Sequence, residues 1–248
     1  MEDTVGLMTY QEQFLLDCKT FAGWDIAFAD NNIRKNKRIK MSIKIGSMTI
    51  GYVQTNCYFV YDDEKKEAIV FDPAADGVGI YNALLKNEIK VSAIMLTHGH
   101  FDHIMGANEL REKAGVKIYA SELEKDLLAS SELNVSNQIG RNYTVEADVY
   151  LKDNEKVTIN GIEIKMISTP GHTAGSCCYL IESEKLLIAG DTLFAGSCGR
   201  TDLPTGSGGM LDRSLKEKLM RLDDEIKVYP GHGESTTIGY ERKHNPFC

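Results

Sequence analysis

The 248-residue sequence has no apolar run approaching the roughly 18 residues that a membrane span requires. Its first residues, MEDTVGLMTYQEQ, lack the apolar core of a signal peptide, so a cytoplasmic protein is expected. The six cysteines, at 18, 57, 177, 178, 198 and 248, form no C-x-x-C pair and follow no regular spacing. That leaves buried free thiols as the expectation. Cys177 and Cys178 point to opposite faces of any strand, so they are not expected to share a metal. Positive charge is the scarcer sign: 28 Lys and Arg stand against 36 Asp and Glu, a formal charge of -8. A nucleic acid would meet repulsion. There is no long repeat and no low-complexity tract. What remains is 42% hydrophobic and 26% charged residues, the make-up of a globular chain able to bury one sizeable core.

Residues 1–40 read as an N-terminal appendage or linker, and 41–248 as one domain. The appendage ends in RKNKRIK, five basic residues in seven positions, a pattern that belongs to a solvated linker. Regular structure is expected to begin at Met41. SIKIG, CYFVYD and EAIVFD read as strands, and GIYNALLKNE has helical spacing. VSAIML is short and almost wholly apolar, as a strand buried on both faces should be. HIMGANELREKAG predicts a helix closed by Gly115, and VKIYA a strand. SELEKDLLAS predicts a helix capped by Ser121 with a Glu three residues on. In KVTINGIEIKMI, Asn160-Gly161 between β-branched runs signals a hairpin. CYLIE, LLIAG and IKVY are further strands, MLDRSLKEKLMRL a helix, and STTIGYERKH a short terminal helix.

Five of the six histidines fall in three segments, each directly after an apolar strand. These are THGHFDH, with His98, His100, Asp102 and His103; TPGH, with His172; and GHG, with His232. Asp191 ends LLIAG-D in the same manner. The carboxyl ends of strands in an α/β sheet line the crevice where ligands bind, so residues distant in sequence can meet there. Three imidazoles and a carboxylate within six positions would repel when protonated and leave unpaired donors when buried. A cation removes both problems by taking the lone pairs of neutral imidazoles.

The spacing suggests two cations. His98 and His100 alternate and project to one side of extended backbone. Asp102 and His103 lie just beyond and can face a second centre. His98, His100 and His172 would form one triad; Asp102, His103 and His232 would form the other, with Asp191 bridging. Such a set leaves room for a water between two cations.

Together THGHFDH, TPGHTAGS, GDTLF and YPGHG resemble the metallo-β-lactamase fold, in the short bacterial branch similar to glyoxalase II (hydroxyacylglutathione hydrolase). The resemblance runs from about Met41 to Cys248. It implies an α/β architecture, the four-layer αββα sandwich, with a dinuclear site at one edge and the same division of the seven ligands. It also places Cys198-Gly199-Arg200 where glyoxalase II grips glutathione, so Arg200 is a candidate substrate-binding residue; pairing of Arg200 with Asp202 is the alternative. Asp72, at the end of EAIVFD, is either a turn residue or the partner that orients a ligand imidazole. Glyoxalase II typically has a helical C-terminal domain that supplies much of its glutathione site, whereas only sixteen residues follow His232 here.

The expected reaction is attack of a metal-bridging hydroxide on the carbonyl of a small-molecule thioester or ester. Asp102 and Asp191 are the candidate catalytic carboxylates, and Asp102 could carry a proton. A thiolate leaves unaided, because thiols titrate near pH 8.5, which favours thioesters over amides or lactams. Zinc is the default metal, with iron and manganese open. Three alternatives stand: a persulfide dioxygenase using one iron on His98, His172 and Asp191; a lactonase or other ester hydrolase; and a non-catalytic metal-binding protein.

Overall fold

The protein is described by a computed structural model covering residues 42–248 and a strand, β1, at Ala27–Ala29. Residues 34–40 and Cys18 lie outside the described residues. The first half continues with β2 (Ile43–Ile50), β3 (Thr55–Asp62), β4 (Glu67–Phe71), α1 (Gly77–Lys86) and β5 (Lys90–Met95). After these come α2 (Phe101–Ile104), α3 (Ala107–Ala114), β6 (Ile118–Ser121), α4 (Lys125–Leu128) and β7 (Val149–Leu151). The second half contains β8 (Lys156–Ile159), β9 (Ile162–Ser168), β10 (Cys177–Ile181), β11 (Leu186–Gly190), β12 (Leu193–Phe194) and β13 (Ser197–Cys198). It closes with α5 (Gly208–Arg213), β14 (Lys227–Pro230), β15 (Thr236–Thr237) and α6 (Ile238–His244).

Strands β1 to β7 form one sheet in sequence order, antiparallel up to β4 and parallel from β4 to β7. The second sheet runs β15-β14-β11-β10-β9-β8, with β11 and β14 parallel. Side-chain alternation explains why the sheets stack. In β3, Tyr58 and Val60 face inward with Phe71, Met95, Met166 and Tyr179 of the neighbouring strands. Cys57, Phe59 and Tyr61 face outward, beneath Ile80 and Leu84 of α1 and Leu110 of α3. On the far side, Leu180 and Leu187 meet Leu211 of α5 and Ile238 of α6. Three apolar layers between four structural layers make the αββα sandwich. Cys177 joins the inner layer and Cys178 the outer one, as their adjacency requires. All five described cysteines are free, three of them buried and Cys198 and Cys248 half-buried.

Several expectations are corrected. Regular structure begins before Met41, because β1 pairs with β2, Ala27 opposite Ser47. The helix expected over 103–115 is broken between α2 and α3, where Gly106 N donates to Pro73 O at 2.8 Å. The helix expected over 210–222 starts as α5 at Gly208, widens over Ser214–Lys218 and tightens over Leu219–Arg221. Ser121 caps only a single tight turn, accepting from Leu123 N at 3.3 Å, and Glu124 does not turn back to it. The Asn160-Gly161 hairpin forms with both residues at positive φ, 54° and 87°.

Candidate metal centre

The chemistry-bearing residues sit where strands end. Asp72 follows β4, and His98, His100, Asp102 and His103 follow β5. His172 follows β9, Asp191 follows β11, and His232 follows β14. One sheet carries the first five, the other sheet the last three, and they meet across the open edge of the sandwich.

Three groups of donor atoms converge, each within 4.8 Å: His98 with His100 and His172; Asp102 with His103 and His232; and His98 with His103 and Asp191. Ligand atoms around a tetrahedral zinc stand about 3.3 Å apart, so these groups are near coordination spacing. His100 Nδ1 is 2.9 Å from His172 Nε2. Asp191 reaches both triads: Oδ1 is 3.3 Å from His103 Nε2, and Oδ2 is 3.6 Å from His172 Nε2 and 3.5 Å from His232 Nε2. Asp102 Oδ2 is 3.3 Å from His232 Nε2 and accepts from the Thr55 hydroxyl at 3.2 Å. Gly231 makes room for this crowding, since a Cβ there would sit 2.1 Å from Asp191 Oδ1.

The rings are aimed from behind. His103 Nδ1 is 3.0 Å from Asp72 Oδ2, and Asp72 also accepts from Thr97 N and the Thr97 hydroxyl at 2.8 and 2.7 Å. His172 Nδ1 donates to the Arg200 carbonyl at 2.7 Å. His98 Nδ1 lies 3.1 Å from the Thr97 hydroxyl. The forward nitrogens His98 Nε2 and His103 Nε2 are buried without a hydrogen-bond partner, as are His100 Nε2 and Asp191 Oδ1. A buried polar atom left unpaired costs about 1–3 kcal/mol, so four in one cluster call for an occupant. Divalent cations fit this set.

Electrostatics distinguishes the two triads. Burial pulls His98, His100 and His172 below the ordinary imidazole value, His100 to about 3, so all three offer lone pairs at neutral pH. Burial presses on His103 too, but the Asp102 and Asp191 carboxylates outweigh it and hold His103 well above its usual value. Asp102 and Asp191 resist the upward push of burial because of these imidazoles, His103 foremost, and remain ionised.

The chain matches the metallo-beta-lactamase superfamily over residues 50–232. It belongs to that family. Among curated relatives, this metallo-beta-lactamase superfamily chain is 37% identical to the probable metallo-hydrolase YqgX of Bacillus subtilis, over 81% of this chain and 95% of that protein. It is 35% identical to the hydroxyacylglutathione hydrolase GloC of Haemophilus influenzae, over 84% of this chain and 98% of GloC. Among solved structures, the BLEG-1 B3 metallo-beta-lactamase superposes with a TM-score of 0.78 at 37% identity, covering 82% of this chain and 98% of BLEG-1. ETHE1 from Myxococcus xanthus superposes at 0.65 and 28% identity, covering 77% and 78%. The protein is a metal-dependent hydrolase of the metallo-beta-lactamase superfamily, with a histidine-rich site for divalent metal. No helix among the described residues is long and apolar enough to cross a membrane.

Arg200 departs from a simple substrate hook. Its exposed guanidinium pairs in bidentate fashion with Asp202, at 2.7 and 2.6 Å, while its carbonyl holds His172. It lines a cavity of about 430 Å³ with Leu211, Leu215 and Phe247, and none of the seven residues of the centre is in that lining. Sequence reasoning missed three supports: Thr97, the Thr55 hydroxyl and Glu124. Thr97 was detectable as the residue between the strand and His98. Thr55 carries no motif, and Glu124 reads as part of the helix cap begun by Ser121.

Proposed function

We propose that the protein hydrolyses thioesters of the hydroxyacylglutathione kind with two divalent cations, zinc by default. His98, His100 and His172 hold the first cation, Asp102, His103 and His232 the second, and Asp191 both. The observation that carries this reading is the position of Asp191, whose two oxygens reach the two triads at 3.3 to 3.6 Å. When bound, the cations supply Lewis acidity and acidify a water from a pKa of 15.7 toward about 7. The chain does the rest. Asp72 and the Arg200 carbonyl fix the ring orientation of His103 and His172. Asp102 is held in place by the Thr55 hydroxyl, which donates to its Oδ2. A thiolate needs no proton to leave, which favours a thioester over an amide or lactam. The similarity to GloC over nearly its whole length supports the glutathione thioester, and the Arg200–Asp202 pair would have to open for Arg200 to take a substrate carboxylate. A persulfide dioxygenase with one iron on His98, His172 and Asp191 would leave the second triad, Asp102 with His103 and His232, without a metal.

The test combines elemental analysis of protein purified without added metal with turnover of S-lactoylglutathione, simpler thioesters, lactones and β-lactams. Two ions per chain and anaerobic thioester cleavage are expected. One iron per chain with oxygen consumption on a persulfide would overturn the proposal, as would β-lactam or lactone turnover exceeding that of every thioester.

A further inference from the structure

Among the buried carboxylates outside the seven residues, Glu124 stands against the loops of the first triad yet takes no part in the proposed reaction. Glu124 is 1% exposed and sits on the tight turn Glu122–Glu124 between β6 and α4. Its Oε2 accepts from Gly99 N at 2.9 Å. Its Oε1 accepts from Gly175 N at 2.9 Å and from the Thr173 hydroxyl. Gly99 lies between His98 and His100, and Thr173 follows His172. One carboxylate therefore ties together the two loops that carry the first triad, and these loops come from different sheets.

The hydrogen bonds around it have one consistent direction. Thr173 N donates to Ser176 Oγ at 3.0 Å. With the Thr173 hydroxyl committed to Glu124, the Ser176 hydroxyl is left to donate to Thr173 Oγ1, 2.6 Å away. The loop is thus locked in a single hydroxyl arrangement that ends on Glu124. The approach is also close: a Cβ at Gly175 would lie 2.5 Å from the Leu123 carbonyl carbon and 2.6 Å from Glu124 N. Burying a carboxylate is costly unless its lone pairs are used, and an apolar side chain would fill the space at lower cost. Two oxygens accepting three donors are what a carboxylate adds here.

We propose that Glu124 is a positioning residue for the first cation, setting the gap between the His98/His100 loop and the His172 loop without touching the metal. The inference rests on the division of ligands given above. Glutamine at this position keeps the volume but turns an amide N–H₂ toward a donor, so one of the two loops is released. Outer partners of this kind typically change metal affinity by about 10–100-fold.

The experiment isolates each site. His103→Ala weakens the second triad, so zinc reports on the first; His172→Ala does the reverse. Zinc affinity is measured against a chromophoric chelator in both backgrounds, with and without Glu124→Gln. Glu124→Gln is expected to weaken zinc by about 10–100-fold in the His103→Ala background and by less than about threefold in the His172→Ala background. Thr173→Val should reproduce part of the selective loss and Thr173→Ser should restore it, which keeps the test valid if Glu124→Gln folds poorly. Equal losses in both backgrounds would make Glu124 a general structural residue and overturn the inference, and so would no loss in either. If zinc binding ignores His103→Ala and His172→Ala alike, the two-cation reading itself fails, and the inference goes with it.

Discussion

Asp72 occupies the left-handed region at φ 49°, which Asn also tolerates, so Asp72→Asn should keep the backbone. The amide can still accept from Thr97 N, but only one of its two ends can accept at all. His103 Nδ1 then loses its anionic partner 3.0 Å away and, with it, its enforced tautomer. Asp72→Asn is expected to weaken metal binding about 10–100-fold while leaving the circular dichroism spectrum unchanged. Retention of full affinity would reduce Asp72 to a turn residue. Glu124 supplies a pH signature. Burial pushes its carboxyl up from 4.5 to about 7, against the pull of its three donors. Between pH 4.5 and 7 the folded metal-free protein thus holds a proton that the unfolded chain has released. Stability from this group is present below pH 4.5 and is lost as pH rises to about 7, by on the order of 3 kcal/mol. Urea melts of the metal-free protein at pH 5 and 7.5 should show this loss in the wild type and a smaller one in Glu124→Gln. Matching losses in the two would remove Glu124 as their source. Both residues explain what sequence can carry at this scale. The seven residues at the centre were legible because they are clustered histidines and aspartates at strand ends. Glu124 was not: it stands three residues after Ser121 in what reads as a helix cap, and only the tertiary contact with Gly99 and Gly175 redirects it.

Elements were legible where one local period decided them, and blurred where neighbours intervened. Strands β3 and β5 and the β8–β9 hairpin follow directly from alternation, apolar runs and Asn160-Gly161. The helix over 103–115 has an unbroken helical pattern, yet it splits because Gly106 is drawn against the Pro73 and Ala75 carbonyls, a contact no local pattern encodes. The terminal helix α6 shows how an element reaches the site indirectly. Its buried Glu241 accepts from Gly196 N at 2.8 Å, from the Thr236 hydroxyl at 2.5 Å and from Asn245 Nδ2 at 2.8 Å. This pins the β12–β13 hairpin, from which the chain passes into Arg200 and the carbonyl that holds His172. Glu241→Ala takes the acceptor from Gly196 N and from the Thr236 hydroxyl, while Asn245 Nδ2 keeps the Ser197 carbonyl at 2.9 Å, and should cost about 2–5 kcal/mol, read as a fall of roughly 5–15 °C in melting temperature. A shift below about 2 °C would show that the hairpin does not depend on α6.

At the scale of the whole molecule, the centre spans the seam of the sandwich. His98, His100, Asp102 and His103 belong to the seven-stranded sheet; His172, Asp191 and His232 belong to the six-stranded one. The inner apolar layer also bridges that seam, but it ends where the strands end. Beyond it the polar edge brings together neutral imidazoles and buried atoms that lack hydrogen-bond partners. His103 with Asp191 and Asp102 with His232 already pair across the seam, and cations would satisfy the remaining unpaired atoms and clamp the edge. Because the cations bind the folded arrangement far better than the dispersed ligands of the unfolded chain, they add RT ln(1 + [L]/Kd), about 4 kcal/mol at a thousandfold excess over Kd. For a domain of this size each kcal/mol moves the melting temperature by about 2–4 °C, so chelation should lower it by roughly 8–16 °C and zinc should restore it. His172→Ala and His103→Ala, which each break one triad, should show a smaller drop on chelation than the wild type. An unchanged melting temperature after verified metal removal would mean that the seam is held by the apolar layer alone, and that the convergence of the seven side chains does not depend on the ions.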